Sequence, residues 1–67
     1  MNEKEFSNWT KNKENEFAWL NSEAPKLGYA EGMRINREEE QEGNPFEVNS
    51  LDWHLFEDGK GQALSDW

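Results

Sequence analysis

Apolar side chains recur along this chain in steps of three and four. Phe6, Trp9, Phe17 and Leu20 fall on one stripe, with Lys13 in the place between Trp9 and Phe17. That is the helical period, and Lys11, Glu14 and Glu16 lie mostly off the stripe. The spacing predicts one amphipathic helix over residues 3–20. Asn12 and Asn15 are its weak points, because asparagine is a poor helix former.

A second helix is expected over residues 22–40. Ser22 suits an N-cap, Glu23 belongs in the first turn, and Pro25 stands where a helix tolerates proline. Leu27, Tyr29, Ala30 and Met33 supply apolar surface. Gly28 and Gly32 share one face, and each weakens a helix by about 1 kcal/mol relative to alanine. They mark either a flat groove that admits another helix closely or a kink or early helix end. A connector follows. Gly43 suits a C-cap, Pro45 stops the helix, and proline pushes Asn44 into extended backbone. Phe46 and Val48 are expected to fold back onto the helices. A third helix is predicted over 50–66, capped by Asn49 or Ser50, with Asp52 in its first turn. Trp53, Phe56, Lys60, Ala63, Leu64 and Trp67 follow its spacing, and Gly59 and Gly61 again point to close packing. The pattern is all-α: a small three-helix domain, residues 1–67, with a proline-containing connector between the second and third helices.

Length and composition narrow the means of holding such a fold. A chain of 67 residues makes one domain and buries only about 60% of the surface its unfolded form exposes. There is no cysteine and one histidine, which removes disulfides, thiolate metal sites and any multi-histidine site. No metal and no cofactor is expected. Four Trp, four Phe and one Tyr must therefore supply the core, with dimerisation as the other remaining device. Trp53, Phe56 and Trp67 are core by periodicity. Nine aromatics exceed what one thin core hides, so one of Trp9, Trp19 or Trp67 is expected to be partly exposed. The first residues lack a signal peptide's apolar segment, and no apolar run approaches the roughly 20 residues of a membrane span. The expectation is a soluble cytoplasmic protein with an idle Asn8-Trp9-Thr10 sequon.

Charge divides the chain unevenly. Residues 1–30 hold five acids and four lysines, while residues 31–67 hold ten acids and three bases. Against a net charge of −8, direct nucleic-acid binding is not expected, nor binding to an anionic membrane; a basic partner is favoured. No catalytic constellation stands out. His54 and Asp52 are two apart, a spacing that does not face on a helix. Glu57 and Asp58 before Gly59 lack the further oxygens of a calcium loop, and no phosphate loop or nucleophile motif is present. The chain is not expected to be an enzyme. The remaining chemistry is carboxylate: the run Glu38, Glu39, Glu40 and Glu42, and a second group of Glu47, Asp52, Glu57, Asp58 and Asp66. The plain reading of the run is a solvated helix end. The functional reading makes all nine a partner-binding surface, in which spaced carboxylates imitate a row of phosphates.

Three short pieces in order, "GYAEG", "NPF" and "FEDGKGQA", resemble the ribosome modulation factor family and its small phage and plasmid relatives. Gly28, Tyr29 and Gly32 match the first element of that pattern, Pro45 and Phe46 the second, and Phe56, Gly59 and Ala63 the third. The resemblance spans residues 24–67. Lys60 stands where an aromatic is usual, and the ribosome-binding members are basic where this chain is acidic. The resemblance implies a two-helix unit with a proline turn. Size, charge and resemblance together point to a non-enzymatic phage-type inhibitor. Its acidic face would occupy the nucleic-acid channel of a basic host protein, as anti-CRISPR and anti-restriction mimics do. The alternative is a ribosome-associated modulation factor binding ribosomal RNA or protein through Lys11, Lys13, Lys26, Arg34 and Arg37. A third is a small structural or dimerising protein, with a homodimer the form to look for.

Overall fold

A computed structural model describes residues 1–66, and they form α-helices joined by turns and one long connector. The order is α1 (Glu3–Lys11), α2 (Lys13–Asn21), α3 (Glu23–Asn36) and α4 (Leu51–Ser65). The described residues are all-helical, with four helices where three were expected. Trp67, expected either in the core or as a partly exposed ring, lies outside the described residues.

The extra break is at Asn12. Its backbone is extended (φ −78°, ψ 119°), its N–H closes α1 on Trp9 O, and its side-chain oxygen caps α2 at Glu14 N. Asparagine is thus both the stop of one helix and the start of the next, a role its side chain fills better than any place inside a helix. Asn15 Nδ2 latches the elbow by donating to Trp9 O at 2.9 Å. The bend takes the second half of the 6–20 stripe off the protein. Phe17 is 75% exposed and Leu20 56%, and neither α1 nor α2 contains a buried residue.

The packed centre is the α3–α4 pair. A Cβ on Gly28 would overlap the carbonyl of Phe56, and a Cβ on Gly59 would overlap the carbonyl of Pro25. At Gly32 it would stand 2.6 Å from Ala63 Cβ and 2.7 Å from Lys60 O. Glycine is therefore what lets the two backbones touch. Gly28 meets Phe56, Gly59 meets Pro25 and Gly32 meets Ala63, and Asn36 Nδ2 donates to Ala63 O. The connector lies against both helices, with Glu42 N and Gly43 N on Glu31 of α3 and Asn44 on Trp53 and Glu57 of α4. Ala24, Pro25, Leu55, Phe56 and Ala63 form the core. The apolar face expected for α3 is corrected here. Leu27, Tyr29 and Ala30 are exposed because the glycine face, not the bulky one, receives α4. Leu64 is exposed on α4, and Gly61 faces open space rather than a close contact.

Helix α3 stops at Asn36, four residues earlier than expected. Glu38 takes a left-handed conformation (φ 59°), and Glu38 N and Glu39 N return to Ile35 O and Arg34 O. This is the paired-bond stop that usually carries glycine, so Glu38, not Gly43, ends the helix. Gly43 has its own positive φ of 81° within the connector. Pro45 lies in this connector, which spans 37–50. Phe46 packs edge-on to Phe56 with centroids 6.1 Å apart, whereas Val48 stays 67% exposed. Ser50 caps α4 through Trp53 N at 3.1 Å. No helix among the described residues is long and apolar enough to cross a membrane.

Candidate partner-binding surface

The nine carboxylates expected to form one surface divide into two kinds. Glu38, Glu39, Glu40, Glu47 and Asp52 are exposed, and their side chains have no ion pair or hydrogen bond among the described residues. They follow the connector and the first turn of α4. The other four are engaged within the fold. Glu42 stands 3.6 Å from Arg34. Glu57 is half-buried, 2.8 Å from Lys60 Nζ, and accepts from Asn44 Nδ2 at 3.2 Å. Burial pushes its carboxyl up, but the hydrogen bonds from Lys60 and Asn44 and the lysine's charge outweigh this and hold it below its ordinary value. Asp58 accepts from Trp19 Nε1 at 2.8 Å and from Gln62 at 3.5 Å. Asp66 accepts from the Tyr29 hydroxyl at 3.0 Å, and that bond, then desolvation, then the carboxylate's charge, raise the phenol above its usual value.

Glu38, Glu39, Glu40 and Glu47 sit on a connector that is fixed from below. Glu31, on the same face of α3 as Gly28, is 2% exposed. Its two oxygens accept from Glu42 N at 3.1 Å and Gly43 N at 2.7 Å, with the Arg34 guanidinium 4.0 Å away. A buried carboxylate needs such donors. Asn44 adds a second pin: it donates to Trp53 O at 3.1 Å and accepts from Phe46 N at 3.0 Å. From the sequence Asn44 was expected only as extended backbone before Pro45, and Glu31 was not singled out. The signal for Glu31 was there: Ala24, Gly28 and Glu31 step by four and three along the face that packs.

His54 is buried, 4% exposed. Its ring stacks on Phe6 with centroids 5.1 Å apart and meets Trp53 edge-on at 5.0 Å. Nε2 faces the carbonyl of Met1 as a donor, since a carbonyl only accepts, and Asp52 is not among its partners. The histidine anchors α1 to α4. Trp19 anchors α2 in the same way, through Asp58. Among the bases of the alternative reading, Lys11, Lys13, Lys26 and Arg37 are exposed, while Arg34 is shared between Glu31 and Glu42. Two hollows complete the surface. One of about 400 Å³ lies at the α1–α2 elbow. Another of about 310 Å³ lies between α3 and the connector, bordered by Leu27, Arg34, Pro45 and Phe56.

Comparison with family models, with curated proteins and with solved structures gives no match.

Proposed function

We propose that this chain is a non-enzymatic, acidic phage-type inhibitor acting in the host cytoplasm. Its carboxylates occupy the basic nucleic-acid-binding surface of a host protein, as in anti-CRISPR or anti-restriction mimicry. The observation that carries this reading is the set of exposed acids without a partner among the described residues: Glu38, Glu39, Glu40 and Glu47 on a connector pinned by Glu31 and Asn44, and Asp52 in the first turn of α4. Like charges held on a fixed backbone are repelling in the free protein and gain when a basic surface neutralises them. They also steer encounter, which is an on-rate effect that falls with salt. Glu42 joins them at the edge. Glu57, Asp58 and Asp66 serve the reading less, since each already accepts a bond within the chain. The test is capture of a host protein by wild type and by the Glu38→Lys/Glu39→Lys/Glu40→Lys variant at low and high salt. The mimic loses its partner under both changes. Capture that survives the triple reversal unchanged sinks the reading.

A second reading is supported by a separate observation. Of the residues that carry the resemblance to ribosome modulation factors, Gly28, Gly32, Phe56, Gly59 and Ala63 lie at the α3–α4 contact and Phe46 of the proline turn packs on Phe56, while Tyr29 and Pro45 are exposed. A ribosome-associated factor would co-sediment with ribosomes and weaken when Lys11, Lys13 and Arg37 are made acidic. Those three reversals leave the acidic surface of the first reading in place, so the two readings separate.

A further inference from the structure

The hollow at the α1–α2 elbow has a chemistry the acidic surface does not use. It is bordered by residues from both arms of the elbow and from α4, including Trp9, Lys11, Lys13, Asn15, Trp19 and Asp58. We propose that it binds a free nucleoside monophosphate, with the base on the indole of Trp9, the phosphate between Lys11 and Lys13, and the base edge against Asp58 and Asn15. This is independent of the inhibitor reading and does not rest on it.

Size comes first. About 400 Å³ is at the lower end of small-molecule sites, roughly 300–1,000 Å³. The aromatic walls are held in place. Trp9 stacks on Phe6, centroids 6.0 Å apart and planes 13° from parallel, and Trp19 is fixed by its bond to Asp58. Both rings are only half-buried. A base stacked on such a ring is worth about 1–3 kcal/mol. The cations flank the break: Lys11 ends α1 and Lys13 begins α2. Neither forms an ion pair among the described residues, whereas Arg34 and Lys60 are both paired. The acceptors are positioned too. Asn15 spends its NH₂ on Trp9 O and Asp58 Oδ2 takes the Trp19 N–H. Asn15 Oδ1 and Asp58 Oδ1 are left for the amino and imino hydrogens of a base.

The charges decide what kind of ligand fits. Glu16 also borders the hollow, so Glu16 and Asp58 offset much of the charge of the two lysines, and the modest gain left to a phosphate does not hold it without a base. The ligand must bring a base as well. Two lysines serve only one phosphate, and the flanking phosphates of a strand would meet a chain of net charge −8. The source is therefore a free nucleotide.

The experiment follows the indole N–H signals of Trp9 and Trp19 by NMR during titration of the intact chain with guanosine monophosphate. The arms are guanosine, inorganic phosphate and a single-stranded octanucleotide. Saturable shifts of both indoles are expected with a Kd of about 0.1–1 mM, with guanosine at least about tenfold weaker and phosphate alone without effect. Lys11→Glu/Lys13→Glu weakens binding about tenfold or more. Trp9→Ala weakens it by about 5–150-fold, the stacking range, and Trp9→Phe restores most of it, which separates stacking from loss of fold. No saturable shift up to about 5 mM overturns the proposal. So does equal binding of guanosine, which removes the phosphate contact, or tighter binding of the octanucleotide, which makes a strand the occupant.

Discussion

Two glycines in α4, two residues apart, should respond oppositely to the same substitution. Gly61 has open space where a side chain would go, while a Cβ at Gly59 would meet the carbonyl of Pro25. Gly61→Ala gains the helix propensity of alanine, about 1 kcal/mol at most. Gly59→Ala gains the same and then must separate α4 from α3, because a backbone carbonyl cannot rotate away as a side chain would. A gap of 0.5–1 Å forfeits about a quarter to a half of each dispersion contact it opens. Leu55, Phe56 and Ala63 all depend on that approach. A loss of about 3 kcal/mol, the upper range for overpacking, less about 1 kcal/mol of propensity, leaves Gly59→Ala about 2 kcal/mol less stable. For a domain of this size that is a fall in Tm of about 8–16 °C, against a rise of a few degrees for Gly61→Ala. A chain of 67 residues has about 3–10 kcal/mol in total, so the loss is a large share. Thermal and urea melts followed by circular dichroism make the comparison. If Gly59→Ala stabilises as much as Gly61→Ala, the two backbones are not in contact and the account of the core is wrong.

Other outcomes follow from single sites. Glu31→Gln sets an amide NH₂ against a backbone N–H and removes a charged acceptor, lowering stability by about 1.5–3 kcal/mol; faster amide exchange at Glu42 and Gly43 would show the connector released. Glu38→Gly relieves a side chain from the left-handed region and raises stability by about 1 kcal/mol, read by urea melts. Glu57 has a folded pKa below its ordinary 4.5, so its contribution is present above that value and is lost as pH falls through the folded pKa. Lys60→Met should flatten this part of the acid limb in pH-dependent urea melts. Asp66→Asn should return the Tyr29 phenol toward 10.0 in an ultraviolet titration.

What the sequence made legible was what packing writes directly into residue choice. Gly28, Gly32 and Gly59 could be read as a close helix contact because three glycines inside amphipathic helices have little other use. Ser22 and Ser50 could be read as caps. Asn12 could be read as a weak point but not as an elbow, because Phe6, Trp9, Lys13, Phe17 and Leu20 continue the helical period straight through it. Periodicity reports which residues share a face of an unbroken helix, and a cap that breaks the helix resets that face. The same limit hid the true packing side of α3, where the large residues Leu27 and Tyr29 outrank glycine on any hydrophobic scale but stand outside the contact. For the acids, sequence gave position but not partnership. Glu57, Asp58 and Asp66 resemble Glu38, Glu39 and Glu40 in a row of letters, and only the fold shows that Lys60, Trp19 and Tyr29 already hold them.

The central claim is that the acids of the connector take the place of phosphates. Its most direct measurement is competition on the captured host protein: bound chain displaced by increasing duplex DNA, for wild type and for the Glu38→Lys/Glu39→Lys/Glu40→Lys variant. The account predicts mutually exclusive binding, with the host protein holding either the chain or nucleic acid, and loss of the chain's binding in the variant. A stable ternary complex with DNA, or a variant that competes as well as wild type, contradicts it.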